Sequence, residues 1–251
     1  MPQARACGRV PKPITSFEFQ AVSRAYERYH VGAVRLSKIM ASEMEIDLSS
    51  RRIHQIMRKL KLAKRSYKKS HRRKWVRFER RKSNSLWHAD WTKIGREWMV
   101  AYLDDASRFV VGWGVFKNAN TENSVLVLER AIASYGVPKA MLTGHDVQFH
   151  SIDNKNKRKS DPNDFQKYLK ANDIKHILGR VNHPQTNGKI ERLFGTVKQK
   201  RKEFPSLEAL FHWYNNVRPH MSLKDELETP AEAYVRKARD KKKITLQMVV
   251  R

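Results

Sequence analysis

Cysteine is nearly absent: Cys7 is the only one in 251 residues. A lone thiol excludes a disulfide framework and a thiolate zinc cluster, and it fits a reducing, intracellular setting. No apolar run approaches the length of a membrane span, and the apolar core of a secretory leader is missing, so the chain reads as cytoplasmic. Acidic residues are scarce as well. The 25 Asp and Glu stand against 52 Lys and Arg, a formal net charge of +27. That imbalance attracts polyanions, of which nucleic acid is the commonest, and so places the chain on the nucleoid.

The positive charge is concentrated. Residues 51 to 82 hold 16 Lys and Arg against Glu79 alone, and such a block cannot form a buried core. The length allows one domain of about 150 residues with a proper core, plus a smaller one.

The first part reads as short helices. Thr15-Ser16-Phe17-Glu18 has the form of a capping box, followed by Phe19, Val22, Tyr26 and Tyr29 at helical spacing and Gly32 past the end. A second helix runs from Ala33 to Ser42. A third starts after Ser49 or Ser50, with Ile53, Ile56, Met57 and Leu60 on one side and Arg51, Arg52, His54, Gln55 and Arg58 on the other. Two helices joined by a turn, the second basic on its outer face, make a helix-turn-helix candidate for DNA contact through those five residues, with a solvated helical bundle as the alternative. Residues 63 to 84 read as a basic linker in which Tyr67, Trp75 and Phe78 interleave with Lys and Arg, an arrangement for tracking phosphates and stacking.

From Ser85 the pattern changes. Leu86 to Ile94, Trp98 to Leu103 and Phe109 to Phe116 are extended runs with short connections, which predicts an antiparallel meander. A helix over Thr121 to Tyr135, a strand over Ala140 to Thr143, a helix over Asp164 to Asn172 and a strand over Ile174 to Leu178 follow. Helices over Gly188 to Phe204 and Leu207 to Asn216, and one opened by Thr229-Pro230, complete the chain. Residues 150 to 163 form a basic loop. The order predicts an α/β domain with a mixed five-stranded sheet. The expected division is 1–62 helical, 63–84 linker, 85–236 core and 237–251 basic tail.

Four segments carry the chemistry: Trp87-His88-Ala89-Asp90-Trp91-Thr92, Tyr102-Leu103-Asp104-Asp105-Ala106-Ser107-Arg108, His183-Pro184-Gln185-Thr186-Asn187-Gly188-Lys189-Ile190-Glu191-Arg192, and Trp213-Tyr214-Asn215-Asn216-Val217-Arg218-Pro219-His220. With these in this order, the chain resembles the integrase-like transposases of prokaryotic insertion sequences, which share the ribonuclease-H-like core of retroviral integrases. The resemblance covers nearly all of residues 9 to 237.

The resemblance implies a three-carboxylate site holding two Mg²⁺ or Mn²⁺ ions, with Asp90, Asp146 and Glu191 as catalytic and metal-binding residues. Hard oxygen ligands suit such ions, and a two-metal site supports in-line displacement at phosphorus. The implied function is DNA integration and recombination: binding double-stranded element ends and target DNA, then metal-dependent strand cleavage and strand transfer by a homo-oligomer on DNA. Lys189 and Arg192 would flank the site and hold phosphates. Asp104 and Asp105 read instead as shaping their turn with Ser107.

Two departures leave open whether this copy is an active enzyme. The family pattern has an Asp right after the Leu-Thr pair and a Gly two residues later; here Gly144 and Asp146 exchange those places. In an extended chain two residues span about 6.6 Å, and the site vacated by Gly is expected to need a positive φ, which Asp tolerates only moderately. The second departure is the short stretch ahead of the helical region, read as an N-terminal shortening. The alternative function is therefore a catalytically impaired DNA-binding remnant that occupies element ends. A weaker third reading is an RNA-cleaving nuclease on the same fold.

Overall fold

The computed structural model describes residues 12–63, 78–151, 161–179, 187–223 and 227–238. The expectations for most of the linker, for the basic loop, for His183 to Thr186 and for the tail fall outside these residues. The chain divides into two compact units, residues 1–72 and 73–251.

In the first unit α1 (Ser16–Tyr29), α2 (Ala33–Glu43) and α3 (Ser50–Lys59) pack on one another. The capping box forms: Thr15 accepts from the Glu18 N–H and Glu18 reaches back to the cap, which satisfies backbone donors that a helix start leaves free. The apolar stripes meet in a core of Val22, Leu36, Ile39, Met40, Ile53 and Ile56, all fully buried. Each large side chain withdrawn from water contributes about 1.5–3 kcal/mol.

The second unit holds one sheet in the order β3-β2-β1-β4-β5. Strands β1 (Trp87–Ile94), β2 (Glu97–Asp104) and β3 (Val110–Phe116) form the predicted antiparallel meander, and β4 (Ala140–Thr143) and β5 (Lys175–Leu178) add in parallel on the other side of β1. The helices are α4 (Thr121–Tyr135), α5 (Asp164–Ala171), α6 (Gly188–Lys200), α7 (Leu207–His212) and α8 (Pro230–Arg236). The two expected C-terminal helices keep their extents and change type along the way. α6 gives way to a 3-10 turn at Arg201–Glu203, and α7 widens into a π-helical turn at Trp213–Val217.

Strand alternation sorts the residues of β1. Trp87 and Ala89 join Val100, Tyr102, Val111 and Met141 in the main core, packed with Val127, Leu128 and Ala131 of α4, Phe165 and Leu169 of α5 and Tyr234 of α8. His88 and Asp90 therefore point to the other face, where α6 lies across β1 and β2 with Ile190 and Leu193 buried. The pairing shifts register between Tyr102 and Leu103, and the Asn215 amide bonds both the N–H and the C=O of Val110 at 2.9 and 3.1 Å. Among the described residues no helix is long and apolar enough to cross a membrane.

Asn84, on the last residues of the sequence-drawn linker, is a hub. Its side chain donates to the Tyr135 carbonyl at 2.7 Å and accepts from the Trp87 indole and the Tyr234 hydroxyl at 2.9 and 2.7 Å. Ser83 donates to the Tyr234 carbonyl at 2.9 Å, so this end of the linker is tied into the α/β unit.

Candidate active site

Asp90 lies in the middle of β1, half-buried, opposite Ala101 on β2, a neighbour too small to cover it. One oxygen of its carboxylate accepts the Trp91 N–H at 2.8 Å. Burial pushes the Asp90 carboxyl up to about 7; the charges of Asp146 and Glu191 add to the rise, and the Trp91 N–H opposes it. Asp90 thus feels the charges of both other carboxylates across this corner of the sheet.

Asp146 reaches this corner by an unexpected route. The chain does not continue extended after β4. The Asp146 carbonyl accepts the N–H groups of Phe149 and His150 at 2.9 and 3.0 Å, starting a tight turn that is held by the fully buried Phe149 against Phe165. The exposed side chain folds back. Its Oδ2 lies 3.0 Å from the point that a Cβ on Gly144 would occupy. The 6.6 Å displacement expected of an extended chain therefore does not describe this loop. Neither does the expected strain, since Asp146 is not among the residues with positive φ, and Gly144 is not either.

Glu191 and Arg192 are exposed in the first turns of α6. Asn187, just before that helix, borders the same place: its Nδ2 is 3.7 Å from the Gly144 Cβ position, and its Oδ1 is buried without a hydrogen-bond partner among the described residues. Three hard-oxygen carboxylates and an orphaned amide oxygen are donors of the kind that Mg²⁺ takes. Among the described residues, however, no group of three or more His, Cys, Asp or Glu side chains is gathered tightly enough to hold an ion as it stands.

Lys189 faces inward, with 19% of its side chain exposed, and its ammonium pairs with Oδ1 of the fully buried Asp105. His88 Nε2 meets the same oxygen at 2.7 Å, and the Arg80 N–H reaches Asp105 Oδ2 at 2.6 Å. Burial holds the His88 imidazole below its usual range in spite of Asp105, so the ring is neutral and donates from Nε2, leaving Nδ1 buried without a partner among the described residues. Burial alone would raise Asp105; the His88 hydrogen bond and the Lys189 charge overcome it and hold the carboxyl low. Burial and the nearby Arg108 charge draw Lys189 down to about 8, still cationic at neutral pH.

Of the two turn aspartates only Asp104 meets Ser107, accepting its N–H and hydroxyl at 2.9 and 2.6 Å. Sequence reading missed the role of Asp105 and of His88. A signal existed for His88: two residues before Asp90 on a strand means the same face.

In the helical unit, Arg51, Gln55 and Arg58 are exposed on α3 and His54 is half-buried. Arg52 is engaged internally, with Glu18 at 2.7 and 3.0 Å and with the carbonyls of Lys12 and Pro13 at 2.7 and 2.6 Å.

Comparison with known proteins agrees with this architecture. Residues 80–184 match the integrase core domain family, and residues 172–227 match a second integrase core domain profile. The transposase for transposon Tn552 of Staphylococcus aureus is 28% identical over 158 residues, 55% of this chain and 30% of that protein. The chain thus spans less than a third of that relative's length. An uncharacterized protein of Archaeoglobus fulgidus is 33% identical over 104 residues, 41% of this chain and 79% of that protein. A chain of the simian T-cell lymphotropic virus intasome in complex with PP2A regulatory subunit B56 gamma superposes with a TM-score of 0.52 at 17% identity, over 85% of this chain and 74% of that one. The sheet order and flanking helices are those of the ribonuclease-H-like fold. Matched from residue 80 to residue 227 by the two integrase core domain profiles, the chain belongs to the integrase core domain family.

Proposed function

We propose that this chain binds double-stranded DNA at the ends of a mobile element and acts on it by metal-dependent strand cleavage and strand transfer. The observation that carries the reading is the Asp146 carboxylate, which lies against the position of the side chain that Gly144 lacks. Asp90, Asp146 and Glu191 hold the divalent ions, and Asn187 offers an amide oxygen beside them. Mg²⁺ or Mn²⁺ supplies activation of the attacking oxygen and charge stabilisation of the leaving one. Asp90, whose carboxyl burial raises to about 7, would hold such an ion as its carboxylate.

Arg51, Gln55 and Arg58 present donors outward from α3 for the major groove, with His54 beside them. Arg192 faces phosphate next to Glu191. Arg52 and Lys189 act through Glu18 and Asp105, holding their helices in place. The active form is a homo-oligomer on paired ends.

Mn²⁺ titration followed by electron paramagnetic resonance tests the site directly. Wild type should bind two ions, and Asp146→Asn and Glu191→Gln should each weaken binding at least tenfold; unchanged binding in both variants overturns the assignment. The second reading, an end-binding protein without catalysis, is favoured by one finding, that the carboxylates are not gathered around one point. If wild type leaves labelled element ends uncut in Mg²⁺ and Mn²⁺ while Gly144→Asp with Asp146→Gly cuts them, that second reading is correct.

A further inference from the structure

A cavity of about 570 Å³ opens beside the starts of the parallel strands, lined by residues 78–82, Ser85, Lys139, Ala140, Lys175 and Ile177; the Lys189 ammonium, in the helix turn that carries Glu191, stands over the Phe78 ring at 5.8 Å. Lys139 precedes β4, Ala140 begins it and Lys175 begins β5, whereas Gly144 and Asp146 follow the far end of β4. Four residues of strand separate Ala140 from Gly144, about 13 Å. The volume falls within the range of roughly 300–1,000 Å³ typical of ligand sites.

Its chemistry is uneven in a telling way. Ala140 and Ile177 belong to a small apolar cluster with Leu86 and Leu142. Phe78 leaves 58% of its surface in solvent, and the Arg80 guanidinium stands over its ring at 5.1 Å. The lining includes five cationic side chains, Arg80, Arg81, Lys82, Lys139 and Lys175, against the single acid Glu79. That acid is already engaged, accepting from Arg108 at 2.8 Å and from Lys237 at 2.9 Å. Arg80 Nε is buried with no hydrogen-bond partner among the described residues. An aromatic face, an apolar floor and uncompensated cations together suit a base with its flanking phosphodiesters.

We propose that this cavity is a second nucleic-acid subsite, which takes a single-stranded DNA segment with a base against Phe78 and phosphates on Lys139, Lys175, Arg81 and Lys82. It rests on the reading of DNA as partner given above, and not on the carboxylate chemistry. A strand separated at Asp90 and Glu191 can be held here, at the end of β4 opposite Gly144 and Asp146.

The test uses the full chain in EDTA, so that no metal-dependent step contributes, with a fluorescein-labelled oligo-dT of about 12 nucleotides read by anisotropy over a salt series. Lys139→Glu with Lys175→Glu should weaken binding at least tenfold and make the slope of log affinity against log salt shallower by roughly 1.4, since each lost phosphate contact removes about 0.7. Phe78→Ala should weaken it roughly fivefold or more through lost stacking. The exposed pair Lys117→Glu with Lys170→Glu, which changes net charge equally, should have a clearly smaller effect. Equal losses in the two charge-reversal pairs, unchanged binding in the cavity variants, or a poly-glutamate peptide that binds as tightly and is lost in the same variants would each overturn the proposal. Loss of strand binding in the cavity variants beside a wild type inert in Mg²⁺ would leave this subsite standing while the catalytic reading fails.

Discussion

Lys189 and Asp105 form a buried ion pair that ties the first turn of α6, which carries Glu191, to the turn after β2, and through His88 to the strand that carries Asp90. The pair sets the separation of two proposed metal ligands without touching either. Removing one partner of a buried pair leaves the other uncompensated, a loss of about 3–5 kcal/mol. Lys189→Met should fall in that range by denaturant unfolding. The double variant Lys189→Met with Asp105→Asn should be less destabilised than the sum of the singles by roughly 1–3 kcal/mol. A single variant within about 0.5 kcal/mol of wild type, the range of ordinary surface substitutions, would show that the pair does not hold α6.

Gly144 admits the Asp146 carboxylate because it has no side chain. A methyl group there would lie 3.0 Å from Asp146 Oδ2, so in Gly144→Ala the carboxylate must give by a few tenths of an ångström. The expected outcome is weaker Mn²⁺ binding with the melting temperature nearly unchanged, read by paramagnetic resonance and calorimetry. Unaltered binding would remove Asp146 from the ligand set.

Gly112 answers to packing. A Cβ at this position on β3 would meet the Ala131 Cβ of α4 at 2.9 Å. Gly112→Ala should destabilise by about 1–3 kcal/mol, the range for overfilling a packed core, and lower the melting temperature by roughly 2–4 °C per kcal/mol. Ala131→Gly in the same chain should recover part of the loss, which thermal unfolding can measure.

The helical unit carries a pH dependence of known sign. The Arg52 hydrogen bonds hold Glu18 down at about 2, from an ordinary 4.5. Its folded value lies below its unfolded one, so the stabilisation is complete above about 4.5 and is lost as pH falls from there toward 2. For a solvent-accessible pair it amounts to on the order of 1 kcal/mol or less. Circular dichroism at 222 nm over an acid titration should show the unit melting at lower temperature below pH 4, with Glu18→Gln flattening the dependence.

Hydrophobic periodicity made most of the fold legible. The meander, the α4 boundaries, the capping box at Thr15 and the Pro230 helix start all follow from local spacing, because each is decided by neighbours within a few residues. The placement of Asp90 in mid-strand and of Glu191 in the first turn of a helix was legible from their motifs. The course of the chain at Asp146 was not, because the turn there is fixed by Phe149 packing on Phe165, sixteen residues away. Lys189 read as a phosphate-holding cation beside the site, and its pairing with Asp105 was not legible for the same reason: that partner lies 84 positions earlier. Asn84 looked like linker, yet its bonds to Tyr135 and Tyr234 bridge 51 and 150 positions.

The amide of Asn215 has a consequence for solubility. β3 is an outer strand, and outer strands expose backbone groups that can recruit another chain. By bonding both backbone groups of Val110, Asn215 acts as a one-residue sixth strand beside the register shift. The π-helical turn that carries it therefore serves as a stopper against strand addition at Val110.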